Sequence, residues 1–465
     1  MFKTTIPALG LVLLSGCSMA PDYQRPAAPV AESYSGAQTT TSNSSQHVPD
    51  WQQFYQEPEL QALIELALVN NRDLRINELS TEQLRAYFRI QRSALLPNLD
   101  AAGNGTRQRS PADLTYTGDS SISSSYQVGL QMPAYELDFF GRVQSLRDEA
   151  LQQYLASETA QASVELSLIT SVANQYHTLL ALREQRALAS EGKAAARKAY
   201  KINKDSFDGG VGTELDLRTA EAQLEAYRAS EIAFQEQVRQ AENRLGELLG
   251  TTIPTSVKAS DATLANSNMS TDLPVGLPSE LLVRRPDIRA AEHVLQAANA
   301  KIGAARATFF PSVKLTAFGG TASSELSGLF ESGSAAWSFA PQITLPIFAG
   351  GRNKANLQVA ELQKQIEIAN YEKSIQTAFR EVADALAVRS TIDQRIEAQA
   401  ARVEAARRRN ELSDQRFEAG IDSFLPVLLA QQELFAAKQD LVRAQLDRLT
   451  SQTALFAALG GGWEE

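Results

Sequence analysis

Two long stretches of this chain carry apolar residues at helical spacing with almost no breaker. Val143 to about Phe207 contains no Pro and only Gly192, and Asn353 to about Phe417 contains neither Pro nor Gly. Both are rich in Ala, Leu, Gln and Glu. Each predicts one continuous helix, roughly 90–100 Å long at 1.5 Å per residue. Such length without internal caps calls for coiled-coil packing against neighbours, and the many alanines let those neighbours approach closely. Shorter helices are predicted after them, about Thr213 to Leu249 and Ser423 to Leu459, and two more upstream, about Pro58 to Ser93 and Pro278 to Thr308. Between these helices the period changes to two. Tyr126, Val128, Leu130 and Met132 alternate with Gln127, Gly129 and Gln131. Val313, Leu315 and Ala317 alternate with Ser312, Lys314 and Thr316. Trp337, Phe339, Ile343, Leu345 and Ile347 alternate with Ser338, Ala340, Gln342 and Thr344. One apolar and one polar face fits a half-buried strand, and equally a strand with lipid outside and water inside.

The chain is a duplication. Asp73-Leu74-Arg75 recurs as Asp287-Ile288-Arg289, and Leu95-Leu96-Pro97-Asn98-Leu99 as Phe309-Phe310-Pro311-Ser312-Val313, both 214 residues on. Gly141-Arg142 recurs as Gly351-Arg352, Phe207-Asp208-Gly209-Gly210-Val211 as Phe417-Glu418-Ala419-Gly420-Ile421, and Leu249-Gly250 as Leu459-Gly460, now 210 residues on. The offset changes between Gly103 and Tyr126, a Ser/Gly/Asp-rich stretch that tolerates deletion as loops do. Colinear matches of this kind mark two copies of one unit. Each copy reads helix, strand, loop, strand, long helix, turn, helix. The resulting layout is residues 51–254 for the first repeat, 255–277 for a linker and 278–465 for the second repeat with a short C-terminal segment.

The N-terminus indicates a destination. Lys3, an apolar run from Ile6 to Leu14 and then Leu14-Ser15-Gly16-Cys17 form a secretory signal over residues 1–16. Leu14-Ser15-Gly16-Cys17 resembles a bacterial lipobox, with Cys17 lipidated after cleavage; a plain signal with a coincidental Cys is the alternative. Ser18, rather than Asp, favours outer-membrane sorting in that class of lipoprotein. Residues 17–50, rich in Pro, Ser, Thr, Ala and Gln, read as a lipidated tether or wrapping segment. Several acyl chains on one end give stable membrane anchoring.

Composition then removes whole classes. Lys and Arg number 44 against 54 Asp and Glu, a formal charge of −10 with no basic cluster, so nucleic-acid binding has no support. His47, His177 and His293 stand alone, Cys17 is the single cysteine, and no catalytic signature or metal-ligand spacing is present. No enzyme or cofactor is expected beyond the lipid on Cys17. Four strands cannot close a barrel in lipid, where an open edge is not tolerated. Two chains would supply eight strands, whose interior is filled by side chains. Three chains give twelve and leave a passage; four would also leave one, so three is chosen by economy. A soluble helical bundle with a small β-domain remains the other reading of the pattern.

A family resemblance narrows this. Pro21-Asp22-Tyr23-Gln24-Arg25-Pro26, Asn71-Arg72-Asp73-Leu74-Arg75, Glu136-Leu137-Asp138-Phe139-Phe140-Gly141-Arg142, Arg284-Arg285-Pro286-Asp287-Ile288, Ile302-Gly303-Ala304-Ala305-Arg306-Ala307 and Ala458-Leu459-Gly460-Gly461-Gly462-Trp463, with the lipobox, resemble the TolC-like outer-membrane factors. The similarity is greatest to the OprM-type lipoprotein branch and covers essentially the whole chain. It implies a mainly α-helical homotrimer with a twelve-stranded membrane β-barrel continuing into a long periplasmic α-helical barrel. It also implies docking to a periplasmic adaptor and an inner-membrane resistance-nodulation-division pump, with drugs, dyes and detergents passed outward unmodified. An exit duct for secreted proteins or metal ions, and a non-conducting periplasmic structural lipoprotein, are the competing functions.

The same resemblance points to the two helix reversals as periplasmic tips where the adaptor docks, namely Val211, Gly212 and Thr213 in the first copy and Gly420, Ile421, Asp422 and Ser423 in the second. Turn chemistry alone would also place glycines there. Thr213-Glu214-Leu215-Asp216 has a capping-box layout, while Asp216 also matches a family position that helps hold the tip closed. Phe417 matches a tip position that is often Tyr and has no hydroxyl for that contact. Pro426 and Leu429 stand where family members often carry gate aspartates. The expected constriction is therefore apolar, with Leu425 as first candidate and Leu429 second; ordinary interhelix packing is the other role open to them. A hydrophobic constriction can gate by dewetting.

Overall fold

A computed structural model describes residues 18–31, 48–258, 262–270, 273 and 285–462. Cys17, the signal segment and the start of the second repeat lie outside the described residues. The main helices are α1 (Pro58–Asn70), α2 (Arg72–Ser93), α3 (Arg142–Asp208), α4 (Glu214–Leu249), α5 (Pro286–Ala307), α6 (Arg352–Glu418) and α7 (Phe424–Ala458). The strands are β1 (Asp100–Ser110), β2 (Ser121–Leu137), β3 (Ser312–Ser323) and β4 (Ala335–Thr344). Both long helices, α3 and α6, have 67 residues without interruption.

Two expectations need correction. The helix predicted from Pro58 to Ser93 is two helices, because Asn71 is extended (φ −61°, ψ 132°). Its side chain accepts the Leu74 amide at 2.8 Å, capping α2, and donates to the Leu248 carbonyl at 2.8 Å. The neighbouring helix thus recruits a residue that helical periodicity alone would have kept inside one helix. In the second copy the equivalent of Arg72 is Pro286, the first residue of α5. The alternation predicted as far as Ile347 stops being strand at Thr344. Thr344 pairs with Ser312, the first residue of β3, so no β3 residue remains to pair beyond it, and Leu345 and Ile347 are exposed.

The four strands form one antiparallel sheet in the order β1-β2-β3-β4. Each copy contributes a hairpin, and β2 joins β3 through Tyr126↔Ser323 to Leu137↔Val313, with a bulge between Met132 and Tyr135. Among the described residues, strands β1 and β4 are unpaired on their outer sides. Cross-strand partners share a face, so the registers sort the sheet. Val128, Leu130, Met132, Val313, Leu315, Trp337, Phe339 and Ile343 share one face; Asn104, Thr106, Gln108, Gln127, Gln131, Lys314, Thr316, Ser338 and Gln342 share the other. The apolar face is strongly exposed, Trp337 at 81% and Ile343 at 71%.

The chain divides into two compact units, each drawn from both copies. Among the described residues, one draws on those within Met1–Ala27, Ser80–Glu158 and Ala290–Tyr371, and the other on those within Ala28–Leu79, Thr159–Arg289 and Glu372–Glu465. In the first unit, residues 19–25 lie extended along α5. Arg25 donates to both oxygens of Glu292 at 2.8 and 2.7 Å, and the Tyr23 hydroxyl donates to the same carboxylate at 3.0 Å. Asn299 donates to the Pro21 carbonyl at 2.7 Å and Arg306 to the Met19 carbonyl at 3.4 Å. This strap runs antiparallel to α5, so its first residues lie beside the helix end that leads into β3. In the second unit, Phe54 stacks on Phe456 at 4.3 Å with Tyr55 edge-on. There Arg285 is buried, donating to Asp287, to Glu381 at 2.8 Å and to the Ala458 carbonyl at 3.2 Å.

Candidate functional site

The two helix reversals have one backbone plan. Gly210 and Gly420 take φ of 75° and 71°, the left-handed region where a side chain is costly. Their amides reach back to Phe207 and Phe417 at 3.0 and 2.9 Å, and those of Val211 and Ile421 to Ser206 and Arg416 at 3.0 and 2.9 Å. The last carbonyls of α3 and α6 are thereby satisfied, as in a glycine-terminated helix. Val211 and Ile421 project outward, 86% and 63% exposed. A matched pair of apolar knobs therefore sits at the two reversals.

The side chains then diverge. In the first reversal the Asp216 amide donates to the Thr213 hydroxyl oxygen at 3.1 Å, and that hydroxyl donates to the Asp216 carboxylate at 2.6 Å. Asp216 is thus engaged in capping α4. In the second, Ser423 makes no side-chain cap. Instead Arg416 donates to both oxygens of Asp422 at 2.5 and 3.1 Å, which holds the Asp422 carboxyl below its ordinary range. The first copy has Ser206 and Gly212 at these positions, so the ion pair belongs to one reversal alone. Sequence reading singled out Asp422 but missed Arg416, whose signal was a cation one helical turn before the glycine.

Phe417 is packed inward with Tyr200 against Ala199, Ala220, Phe424, Val427 and Leu428, its ring 5.6 Å from that of Phe424. The start of α7 is consequently two-faced. Phe424, Val427 and Leu428 are buried, while Leu425 and Leu429 are 56% and 46% exposed, one turn apart on the same side. Leu215, the first-copy counterpart of Leu425, is 75% exposed. Leu425 and Leu429 leave the core of their own chain unserved and present an apolar ridge beside the reversal. Among the described residues no three His, Cys, Asp or Glu side chains are grouped to hold a metal. No described helix is long and apolar enough to cross a membrane.

A sequence-family model described as outer membrane efflux protein matches residues 63–251 and 277–461. The chain belongs to the outer membrane efflux protein family. The two matched segments follow the two copies. The solvent efflux pump outer membrane protein SrpC of Pseudomonas putida is 46% identical over 99% of this chain and 98% of its own length. Outer membrane protein OprJ of Pseudomonas aeruginosa is 44% identical over 99% and 97%. Among solved structures, the open state of the MtrE outer membrane channel of Neisseria gonorrhoeae superposes with a TM-score of 0.81 at 39% identity, covering 96% of this chain and 98% of that one. A membrane protein crystal structure from Pseudomonas aeruginosa gives a TM-score of 0.88 at 44% identity over 96% and 98%. As an outer membrane efflux protein the chain is an outer-membrane channel of the TolC-like fold, which excludes the soluble-bundle reading. The described residues of the single chain form four strands with both edges open, so they do not complete a barrel wall.

Proposed function

We propose that three copies close the sheet into a twelve-stranded barrel and form the outer-membrane duct of a tripartite drug-efflux pump. The observation that carries this is the open sheet itself, apolar and exposed on one face, polar on the other, with β1 and β4 unpaired at its two edges. Lipid does not tolerate open edges, and edge-to-edge closure of identical sheets removes them. Closed with Leu130, Trp337 and Phe339 outward, the barrel would line its bore with Asn, Gln, Ser and Thr. The long helices of three copies would associate through their alanine-rich faces into a helical tube. The exposed knobs Val211 and Ile421, with Gly212, Thr213, Gly420, Asp422 and Ser423 around them, would receive a periplasmic adaptor linked to an inner-membrane resistance-nodulation-division pump. Small apolar drugs and solvents fit this reading, since the relatives are named for solvent, toluene and antibiotic efflux. Cys17 would carry the lipid, and the strap along α5 leads the chain toward the barrel side of its unit, where an anchor belongs.

The experiment is a deletion with complementation and a mass measurement in mild detergent. Loss of the gene should sensitise cells several-fold to unrelated apolar drugs, and the purified protein should run as a trimer. A monomer, or unchanged susceptibility, would refute the duct.

At the tip, Leu425 and Leu429 would form the apolar constriction, opened when adaptor binding favours the wider state. Leu425→Ser should raise the closed-state conductance of single channels in planar bilayers several-fold, with weak ion selectivity in both forms. Strong cation selectivity of the wild-type channel, with block by multivalent cations at the tip, would show that a charged ring controls it instead.

A further inference from the structure

We infer that Arg107 and Arg109 form, with their counterparts in the other copies, a binding collar for the phosphate groups of outer-leaflet glycolipid. This rests on the closed-barrel reading and adds a ligand to its outer rim.

The register decides which way the two arginines face. Arg107 pairs with Ser124 and Arg109 with Ile122 in an unbroken ladder whose next members on the same face are Gly105↔Tyr126, Gly103↔Val128 and Ala101↔Leu130. Both arginines therefore share the apolar, lipid-side face. The water-lined face at the same level carries Thr106, Gln108 and Ser110 opposite Ser125, Ser123 and Ser121, with no charge. This placement is the reverse of what solvation favours. A cation toward the bore costs nothing, whereas one toward hydrocarbon is costly except near the interface.

Height resolves the conflict. Arg142 opens the helix that follows β2, so Leu137 marks the helical end of the strand and Tyr126 lies toward the far end. The apolar face between them covers about 35 Å of extended chain. At the usual 35–45° tilt this is roughly 25–30 Å of height, about the thickness of an outward apolar band. Arg107 and Arg109 lie one and two rows beyond Tyr126, at headgroup level. Both are exposed. Their one side-chain hydrogen bond among the described residues is a long one, from Arg109 to the Ser120 hydroxyl at 3.5 Å. The adjoining connection carries Asp113 and Asp119, and neither forms an ion pair with them among the described residues. Spaced by about 7 Å along one strand, two planar guanidinium groups suit bidentate contacts to phosphate oxygens, and phosphate-bearing glycolipid fills the leaflet at that level.

The test uses the purified full-length trimer exchanged into detergent, then offered lipopolysaccharide, the same glycolipid stripped of its phosphates, or zwitterionic phospholipid. Lipid retained per trimer is measured by mass spectrometry. Wild type should retain the phosphorylated form; R107Q/R109Q should bind it about thirtyfold more weakly, in line with two charges near an anionic surface. R107K/R109K should keep part of the binding, and Gln108→Ala, on the bore side between them, should keep all of it. Equal retention by R107Q/R109Q, or of the dephosphorylated glycolipid by wild type, overturns the site. A wild-type chain that is monomeric in detergent refutes the closed barrel itself, so the two failures are distinct.

Discussion

Valine at Gly320 is expected to abolish barrel assembly while leaving the helices folded. In the central pairing of β2 with β3, Gly129 stands opposite Gly320. A Cβ on Gly320 would lie 2.2 Å from the Val128 carbonyl oxygen and 2.5 Å from the Gly129 Cα, and one on Gly129 would lie 2.4 Å from the Gly319 oxygen. These are backbone atoms of the two middle strands, so relief requires breaking the register. The cost should reach the top of the usual overpacking range, about 3 kcal/mol per chain, and each copy in an assembly bears it. Trimer recovered from outer membranes should fall at least tenfold, with helical circular dichroism retained. Gly103→Ala is the control, since its Cβ would meet the Val128 methyl at 3.5 Å and the Gln127 carbonyl oxygen at 4.0 Å, both ordinary contacts. Normal trimer yield from Gly320→Val would show that this close approach is not required.

Acid should weaken the helical unit through His177, and His177→Leu should remove that weakness. The side chain is fully buried on α3, with neither ring nitrogen hydrogen-bonded. Burial pushes its pKa from 6.5 down to about 4. The folded state therefore resists a proton that the unfolded chain accepts freely. Stability from the neutral ring is complete above pH 6.5 and is lost as pH falls toward 4. The whole effect is about 3 kcal/mol, and about 2 kcal/mol by pH 5. The unfolding midpoint of wild type, followed by circular dichroism from pH 7.5 to 4.5, should fall more steeply than that of His177→Leu. Parallel curves would place the acid sensitivity elsewhere. The second copy has Ala387 at this position, so no corresponding titration arises there.

Much of the architecture is legible in the sequence. The two 67-residue helices follow from the absence of breakers, and their ends fall within a residue of the sequence-based limits. The reversals at Gly210 and Gly420 follow from glycine's tolerance of positive φ, and the two faces of the sheet follow from period-two alternation. These features depend on residues close together in the chain, where spacing and backbone preference act directly. The Thr213–Asp216 cap is of the same local kind.

The tertiary structure decided the rest, because those choices join residues far apart. Asn71 breaks a helix by reaching the Leu248 carbonyl. Strand β2 of one copy pairs with β3 of the other, creating the glycine-to-glycine approach. Glu292 gathers Tyr23 and Arg25 into a strap along α5, where composition indicated a tether or wrapping segment without naming what it would wrap. At the tip, six nearly equivalent apolar residues from Phe424 to Leu429 include Pro426, and periodicity alone could not say which face would be buried. The cluster with Ala199 and Ala220 takes Phe424, Val427 and Leu428, leaving Leu425 and Leu429 outside. Sequence by itself determined the repeat, the two long helices, the turns and the alternation, since local periodicity encodes them. Which of those faces meet one another was decided by long-range packing, whose energy belongs to no single segment.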